Sequence, residues 1–117
     1  MKKVYHLSTC STCQAIIKET GLEKKGFQFQ DIKTEKITEA QLETLAKLAG
    51  GYEALFSRRA IKYKELKLKD VVLAEKDFRK YILEEYTFLK RPVVVTGNNI
   101  FIGSENKNIE ALKQALK

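Results

Sequence analysis

Among its 117 residues the chain has one proline, one histidine, two cysteines and no tryptophan. No apolar run approaches the ~20 residues that a membrane-spanning helix requires. The residues after Met1 also lack the ~7–15-residue hydrophobic stretch of a secretory signal. Internal repeats, low-complexity segments and linkers rich in proline, serine or glycine are missing as well. We therefore expect a cytoplasmic protein without a membrane anchor, folded as a single domain over residues 1–117.

The charge balance is basic, with 22 lysine and arginine residues against 15 acidic residues, which gives a net charge of +7. The lysines are scattered along the chain and alternate with glutamate, as in segment 62–70. No basic run is interleaved with the aromatic side chains on which nucleobases stack. We therefore expect no direct binding to nucleic acid. Most of the excess positive charge is interpreted as solvated surface lysine, although this charge can attract a small anion.

Hydrophobic periodicity predicts the element order β-α-β, then a helical stretch, then β-β-α. Strands are predicted at 3–7, 27–32, 93–95 and 100–102, and helices at 13–20, 38–49, 77–86 and 105–117. Thr38 and Gln41 have the spacing of a capping box at the start of the second helix, and Gly50 ends it. The order predicts an α/β fold in which helices cover a sheet, with a helical insertion at about 36–89.

Both cysteines lie in one Cys-x-x-Cys motif, Cys10 to Cys13, between the first strand and the first helix. Ser11 and Gln14 have capping-box spacing, which predicts that Ser11 is the N-cap and that Cys10 lies just outside the helix. The free amides and the positive end of the helix dipole would then stabilise a thiolate, which is the nucleophilic form of cysteine. Redox or nucleophilic chemistry is the favoured interpretation, and two merely buried thiols are the alternative.

A metal site and a structural disulfide fit these cysteines less well. His6 is the only further histidine or cysteine, so a conventional zinc site is one ligand short and we predict no metal. A structural disulfide is not expected in a reducing cytosol. His6 lies four residues before Cys10 and could lower the pKa of its thiol or shuttle a proton. The alternative is a strand histidine bonded to the backbone.

Arg58, Arg59 and Arg91 are candidate anion-binding residues, because arginine can hold an oxyanion with two parallel hydrogen bonds. For each of them a solvated surface charge is the alternative. Arg91 precedes the only proline, Pro92, at the entry to a strand. A cis peptide bond is plausible at such a position.

Taken together, these residues resemble the arsenate reductase (ArsC) family of thioredoxin-fold proteins, which includes the Spx-type transcription regulators. The shared features are a histidine and then a cysteine after the first strand, Phe-Ser-Arg-Arg…Tyr-Lys-Glu-Leu at 56–66, and Lys-Arg-Pro-Val-Val-Val at 90–95. The likeness extends over residues 4–116. It implies a thioredoxin-like fold with a mixed four-stranded sheet and a helical insertion between the second and third strands.

The resemblance implies a thiol-dependent oxidoreductase acting on a small oxyanion, such as arsenate, or on a thiol substrate. Cys10 would be the nucleophile and His6 the residue that tunes it. No cofactor would be bound, and glutathione with glutaredoxin, or a thioredoxin system, would supply the electrons. The family also suggests a cis bond before Pro92. The residues expected to bind the anion are Arg59 (or Arg58, if the alignment slips by one), Arg91, and Ser11 and Thr12 at the helix N-terminus.

The chain departs from the arsenate reductases of this family at two places. Those proteins carry a third arginine just past the last hairpin, where segment 102–105 of this chain has none. They commonly have one cysteine in the loop and an arginine shortly after it, whereas here Cys13 supplies a second thiol that could form an intramolecular disulfide, and Gln14 follows. The Cys-x-x-Cys form matches the Spx branch, whose members sense oxidants and bind the C-terminal domain of the RNA polymerase α subunit. A redox-sensing regulator without turnover is therefore the alternative, and a monomer is expected.

Overall fold

The computed structural model describes all 117 residues, and the chain divides into two compact units. One unit comprises Met1–Lys36 and Arg91–Lys117, and the other comprises Ile37–Lys90. The second unit corresponds in the sequence to the helical insertion predicted at about 36–89. That the whole chain forms a single domain stays a prediction.

The strands follow the predicted order, and four of the five helices lie where helices are predicted, while the short helix at 61–65 lies where none is predicted. The strands are β1 (Lys2–His6), β2 (Gln28–Asp31), β3 (Val93–Thr96) and β4 (Asn99–Ile102), and the helices are α1 (Ser11–Thr20), α2 (Glu39–Ala49), α3 (Ile61–Glu65), α4 (Glu75–Glu84) and α5 (Asn106–Ala115). The strands form one sheet in the order β2-β1-β3-β4. β1 pairs parallel with β2 and antiparallel with β3, and β3 and β4 form an antiparallel hairpin. The predicted mixed four-stranded α/β sheet is thus confirmed.

One face of the sheet and the helices of the first unit share a hydrophobic core. Val4 of β1 and Val94 of β3 are register partners. They pack with Ile17 of α1, with Leu22 in the turn after α1, and with Leu112 of α5. All five side chains are almost completely buried. Burying an aliphatic side chain of this size stabilises a fold by roughly 1.5–3 kcal/mol. This packing fixes α1 against the sheet and therefore sets where its N-terminus begins after β1.

Helix ends follow the sequence signals in most places. The predicted capping box of α2 is confirmed: Thr38 Oγ1 accepts from the Gln41 amide at 3.0 Å, and Gln41 Oε1 accepts from the Thr38 amide at 3.1 Å. Gly21 ends α1 with φ +69°, a left-handed conformation that favours glycine. The helix predicted at 77–86 begins two residues earlier, because Asp77 caps it by accepting from the Ala74 amide at 2.8 Å.

The second unit contains α2, α3 and α4 around an aromatic cluster. Phe56 lies 5.0 Å between ring centroids from both Phe78 and Phe88. The Ser57 amide donates to the Phe88 carbonyl at 2.7 Å, which joins the segments that enter and leave the helical region of this unit. None of the helices in the chain combines the length and apolar character needed to cross a membrane.

Candidate active-site thiols at the start of the first helix

Cys10 itself is the N-cap of α1, with φ −91° and ψ 109°. The prediction that Ser11 is the N-cap and Cys10 lies outside the helix is therefore wrong. The Cys10 carbonyl accepts the first helical hydrogen bond, from the Gln14 amide at 3.1 Å. Ser11 and Thr12 are exposed residues of the first turn, where backbone amides have no partner within the helix. These amides are available to an anion next to Cys10.

The predicted capping box between Ser11 and Gln14 is also wrong. Gln14 Nε2 lies 3.2 Å from the Leu7 carbonyl and 3.3 Å from His6 Nδ1, so its side chain reaches back to the end of β1. The Cys10 amide also donates to the Leu7 carbonyl, at 3.0 Å. The box does not form because the Gln14 backbone amide donates to the Cys10 carbonyl, while the Gln14 side chain is directed at Leu7 and His6.

Several interactions around the half-buried Cys10 set its pKa. Burial acts to raise this pKa. The Cys13 backbone amide and thiol lower it, the Arg91 guanidinium lowers it further, and the net result is a lowered pKa. The Cys13 backbone amide, in the first turn of α1, is the first of the groups that lower the pKa of Cys10. A thiol with a lowered pKa is ionised more often at neutral pH and is the better candidate nucleophile.

Cys13 is fully buried and has the opposite character. Burial is the main cause that raises the pKa of Cys13 to about 12. Hydrogen bonding with Cys10 and the charge of Cys10 raise it further, whereas the Leu7 backbone and Arg91 lower it. Cys13 therefore stays protonated while Cys10 is a thiolate, and its thiol is a hydrogen-bond donor to the Cys10 sulfur. The two thiols are free, not bridged, in this structure.

Arg91 is the one predicted arginine that the structure brings to the thiols. Its guanidinium acts on both sulfurs through its charge and forms a hydrogen bond with Cys10. It lies two residues before β3, which pairs with β1, the strand leading to the cysteines. The peptide bond between Arg91 and Pro92 is cis in the structure.

His6 lies at the end of β1, where its ring contacts Phe29 and Gln14. Its ring makes an edge contact with Phe29 at 5.6 Å between centroids, and its Nδ1 faces Gln14. The interactions that set the pKa of Cys10 do not include one with His6. The role of His6 in activating the thiol stays a prediction.

Asp31 at the end of β2 is a residue of this region that the sequence reasoning missed. It is the register partner of His6 and accepts a hydrogen bond from Ser8, in the loop of residues 7–10 between β1 and α1. The Ser8 hydrogen bond is the main reason that the pKa of Asp31 is lowered, and the nearby His6 adds to it. Parallel pairing of the first two strands would have placed the two strand ends side by side, and this was the available signal.

Arg58 and Arg59 belong to the second unit and have different surroundings there. Arg58 forms an ion pair with Glu53 at 3.0 Å and lies over the rings of Phe56 and Phe78. The Arg59 side chain is exposed and has no ion-pair partner, while its backbone amide donates to Ser57 Oγ at 3.3 Å. Of the two, Arg59 is therefore the one whose guanidinium is available for an anion.

The sheet order, the cis proline before β3 and the cysteine pair at the β1–α1 junction define a thioredoxin-like α/β protein with a thiol site. The family model described as the ArsC family matches residues 5–112. The chain belongs to the ArsC family. Among curated proteins no sequence matches it.

Solved structures show the same fold at low sequence identity. An ArsC family related protein from Bacteroides fragilis is similar with a TM-score of 0.79 and 24% identity, covering 95% of this chain and 96% of that one. Arsenate reductase from Vibrio cholerae has a TM-score of 0.75 and 20% identity, with 97% of each chain covered. An ArsC-related protein from Brucella melitensis has a TM-score of 0.71 and 21% identity, covering 94% and 92%. The fold therefore extends over nearly the whole of these proteins.

Proposed function

We propose that this protein is a cytoplasmic thiol-dependent oxidoreductase that reduces a small oxyanion, with arsenate as the substrate to test first. The observation that carries the proposal is the pairing of Cys10 with Arg91, which joins a thiol of lowered pKa to a cation beside it. Membership of the ArsC family supports the same reaction class. The thiolate supplies the nucleophile and the guanidinium supplies charge for the oxygens of the substrate.

In the first step the Cys10 thiolate attacks the pentavalent arsenic, and one arsenate oxygen leaves as water after taking up protons from solvent. A sulfur–arsenic bond forms and no electrons have yet been transferred. Arg91 and the amides of Ser11 and Thr12 hold the remaining oxygens, as donors at a helix N-terminus do for other anions.

In the second step Cys13 attacks the Cys10 sulfur. The sulfur–arsenic bond breaks, its electron pair stays on arsenic, and arsenite leaves as Cys10 and Cys13 form a disulfide. The Cys13 proton passes to the departing arsenite. Burial opposes ionisation of Cys13, but the Cys10 charge that also opposes it is lost once Cys10 is bonded to arsenic. Formation of the sulfur–arsenic bond therefore removes one of the contributions that keep Cys13 protonated.

In the third step an external dithiol, or two glutathione thiols, reduces the disulfide and restores both cysteines with two electrons and two protons. Glutathione with glutaredoxin is the reductant that we propose, and a thioredoxin system is the alternative source. No bound cofactor is required. The family pattern adds Arg59 as a second anion-binding arginine, and the availability of its guanidinium supports that assignment.

Arsenate-dependent oxidation of NADPH, coupled through glutathione and glutaredoxin, tests the proposal on the wild type and Cys10→Ser in parallel. We expect turnover in the wild type and none in Cys10→Ser. A matched control is Ser104→Ala, which removes a hydroxyl outside the thiol site. Absence of arsenate turnover in the wild type, with either reductant, would overturn the arsenate assignment.

A redox-sensing regulator is the second candidate, and one feature of the sequence favours it. Segment 102–105 lacks the third arginine of arsenate reductases. In the structure the Asn108 side chain accepts a hydrogen bond from the Ile102 amide and donates one to the Gly103 carbonyl of this segment. In that case Cys10 and Cys13 would form a disulfide under mild oxidant without any arsenate turnover. Oxidation-dependent capture of the RNA polymerase α C-terminal domain would then support the regulator.

A further inference from the structure

We propose that Gln14 is a positioning residue of the thiol site, which fixes the tautomer of His6 and ties the first turn of α1 to the end of β1. One amide nitrogen makes both contacts: Nε2 lies 3.2 Å from the Leu7 carbonyl oxygen and 3.3 Å from His6 Nδ1. The positioning part of this proposal rests on the proposed function of Cys10. The tautomer part does not.

The Leu7 carbonyl decides how the Gln14 amide is oriented. A carbonyl oxygen can only accept, so the Gln14 atom that faces it must be the NH₂ nitrogen and not the carbonyl oxygen. The other proton of that NH₂ group is then directed at His6. Reversing the amide would bring two carbonyl oxygens together at the Leu7 side and lose that hydrogen bond.

The orientation of the amide in turn decides the state of the imidazole. Nδ1 of His6 faces an N–H donor, so it must be the unprotonated, accepting nitrogen of the ring. A neutral His6 ring therefore carries its proton on Nε2. Protonation at Nδ1 would place two donors against each other and cost the hydrogen bond. Asp31, the register partner of His6 on β2, is a charged group that acts on this ring.

The same amide also supports the loop that carries Cys10. The Leu7 carbonyl receives the Cys10 amide at 3.0 Å as well as Gln14 Nε2, so both residues are anchored on one oxygen. Loss of the Gln14 donor would free the first turn of α1 to move relative to β1. The N-terminal amides of α1 would then be less well placed to stabilise the Cys10 thiolate.

The tautomer can be measured without ambiguity, because His6 is the only histidine of the chain. We expect ¹⁵N NMR of the reduced wild type at about pH 8, where an unperturbed imidazole is neutral, to show Nδ1 unprotonated and Nε2 protonated. In Gln14→Glu the carboxylate can only accept, so Nδ1 should become protonated. Gln114→Glu, which makes the same charge change on the exposed face of α5, should leave the His6 spectrum unchanged.

A second measurement reads the effect on Cys10 and uses Gln14→Leu, which removes the donor but keeps the side-chain volume. We expect the pH midpoint of Cys10 alkylation to move to higher pH in this variant. A protonated Nδ1 in the wild type would overturn the tautomer assignment even if Gln14→Glu does not fold. An unchanged alkylation profile in Gln14→Leu would overturn the positioning role. Neither measurement uses arsenate, so failure of the proposed function would be seen separately.

Discussion

Cys10 and Arg91 come from opposite ends of the chain and meet at the thiol site. Burial acts to raise the pKa of the Cys10 thiol, but Cys13 and Arg91 lower it. The Arg91 guanidinium does so through its charge and a hydrogen bond. The antiparallel pairing of β1 with β3 places the residue before Pro92 next to the loop after β1. The central strands of the sheet therefore build the site.

Removal of the Arg91 charge should make Cys10 a weaker nucleophile. In Arg91→Gln a contribution that favours the thiolate is lost, so the pKa of Cys10 should rise and the midpoint of its alkylation rate should move to higher pH. Alkylation at neutral pH should become slower, with little change at alkaline pH, where the thiol ionises in both proteins. Arg91→Lys keeps the charge and should give an intermediate profile. A midpoint in Arg91→Gln equal to that of the wild type would contradict the role of Arg91.

Cys13→Ser should separate the attack on substrate from its resolution. Cys10 remains nucleophilic, but the protein cannot form the intramolecular disulfide. We expect a mixed disulfide between Cys10 and glutathione to accumulate, detectable by mass spectrometry as one glutathione adduct. The double variant with Cys10→Ser serves as the control and should carry none. Wild-type turnover in Cys13→Ser without any adduct would show that Cys13 is not the resolving thiol.

Arg58 and Arg59 should have separable effects. Arg58→Ala loses an ion pair and contacts with two aromatic rings, so its free energy of unfolding should fall by about 1 kcal/mol. Arg59→Ala should leave stability nearly unchanged and raise KM for the oxyanion several-fold, because its exposed guanidinium has no ion pair to lose. Urea unfolding and steady-state kinetics measure the two effects. The reverse pattern would assign anion binding to Arg58.

Most of the fold could be predicted from sequence because its signals are local. Alternating or continuous apolar residues indicated the strands, and the side chain of Thr38 and the glycine after α2 fixed the ends of that helix. The capping box at Ser11 and Gln14 was predicted from the same kind of pattern and is wrong. The pattern records spacing only, and it contains nothing about the acceptors of His6 and Leu7 that the fold places beside the Gln14 side chain.

The candidate site was partly predictable for the same physical reason. Cys10 and Cys13 carry their chemistry in a local motif, whereas Arg91 could be connected to them only through the family resemblance. The partnership of Asp31 with His6 depends on the register of two parallel strands, which no single strand reveals. The difference in acidity between the two thiols depends on burial, which the motif does not specify.

The Thr38 cap should contribute measurably to stability. Thr38→Ala removes the acceptor for the Gln41 amide and should lower the free energy of unfolding by about 1 kcal/mol, with an unchanged denaturant slope. Thr44→Ala is the matched control, because it removes the same hydroxyl from the interior of α2. Alanine favours helix there, so this variant should be neutral or slightly more stable. Equal destabilisation of both variants would argue against the cap.

The most direct test of this account is the site of alkylation in the reduced wild type at neutral pH. The protein is treated with a limiting amount of iodoacetamide, and the modified cysteine is identified by peptide mass mapping. We expect modification of Cys10 alone, because the pKa of its thiol is lowered while burial raises the pKa of Cys13 to about 12. Modification of Cys13 at a comparable rate would contradict the account.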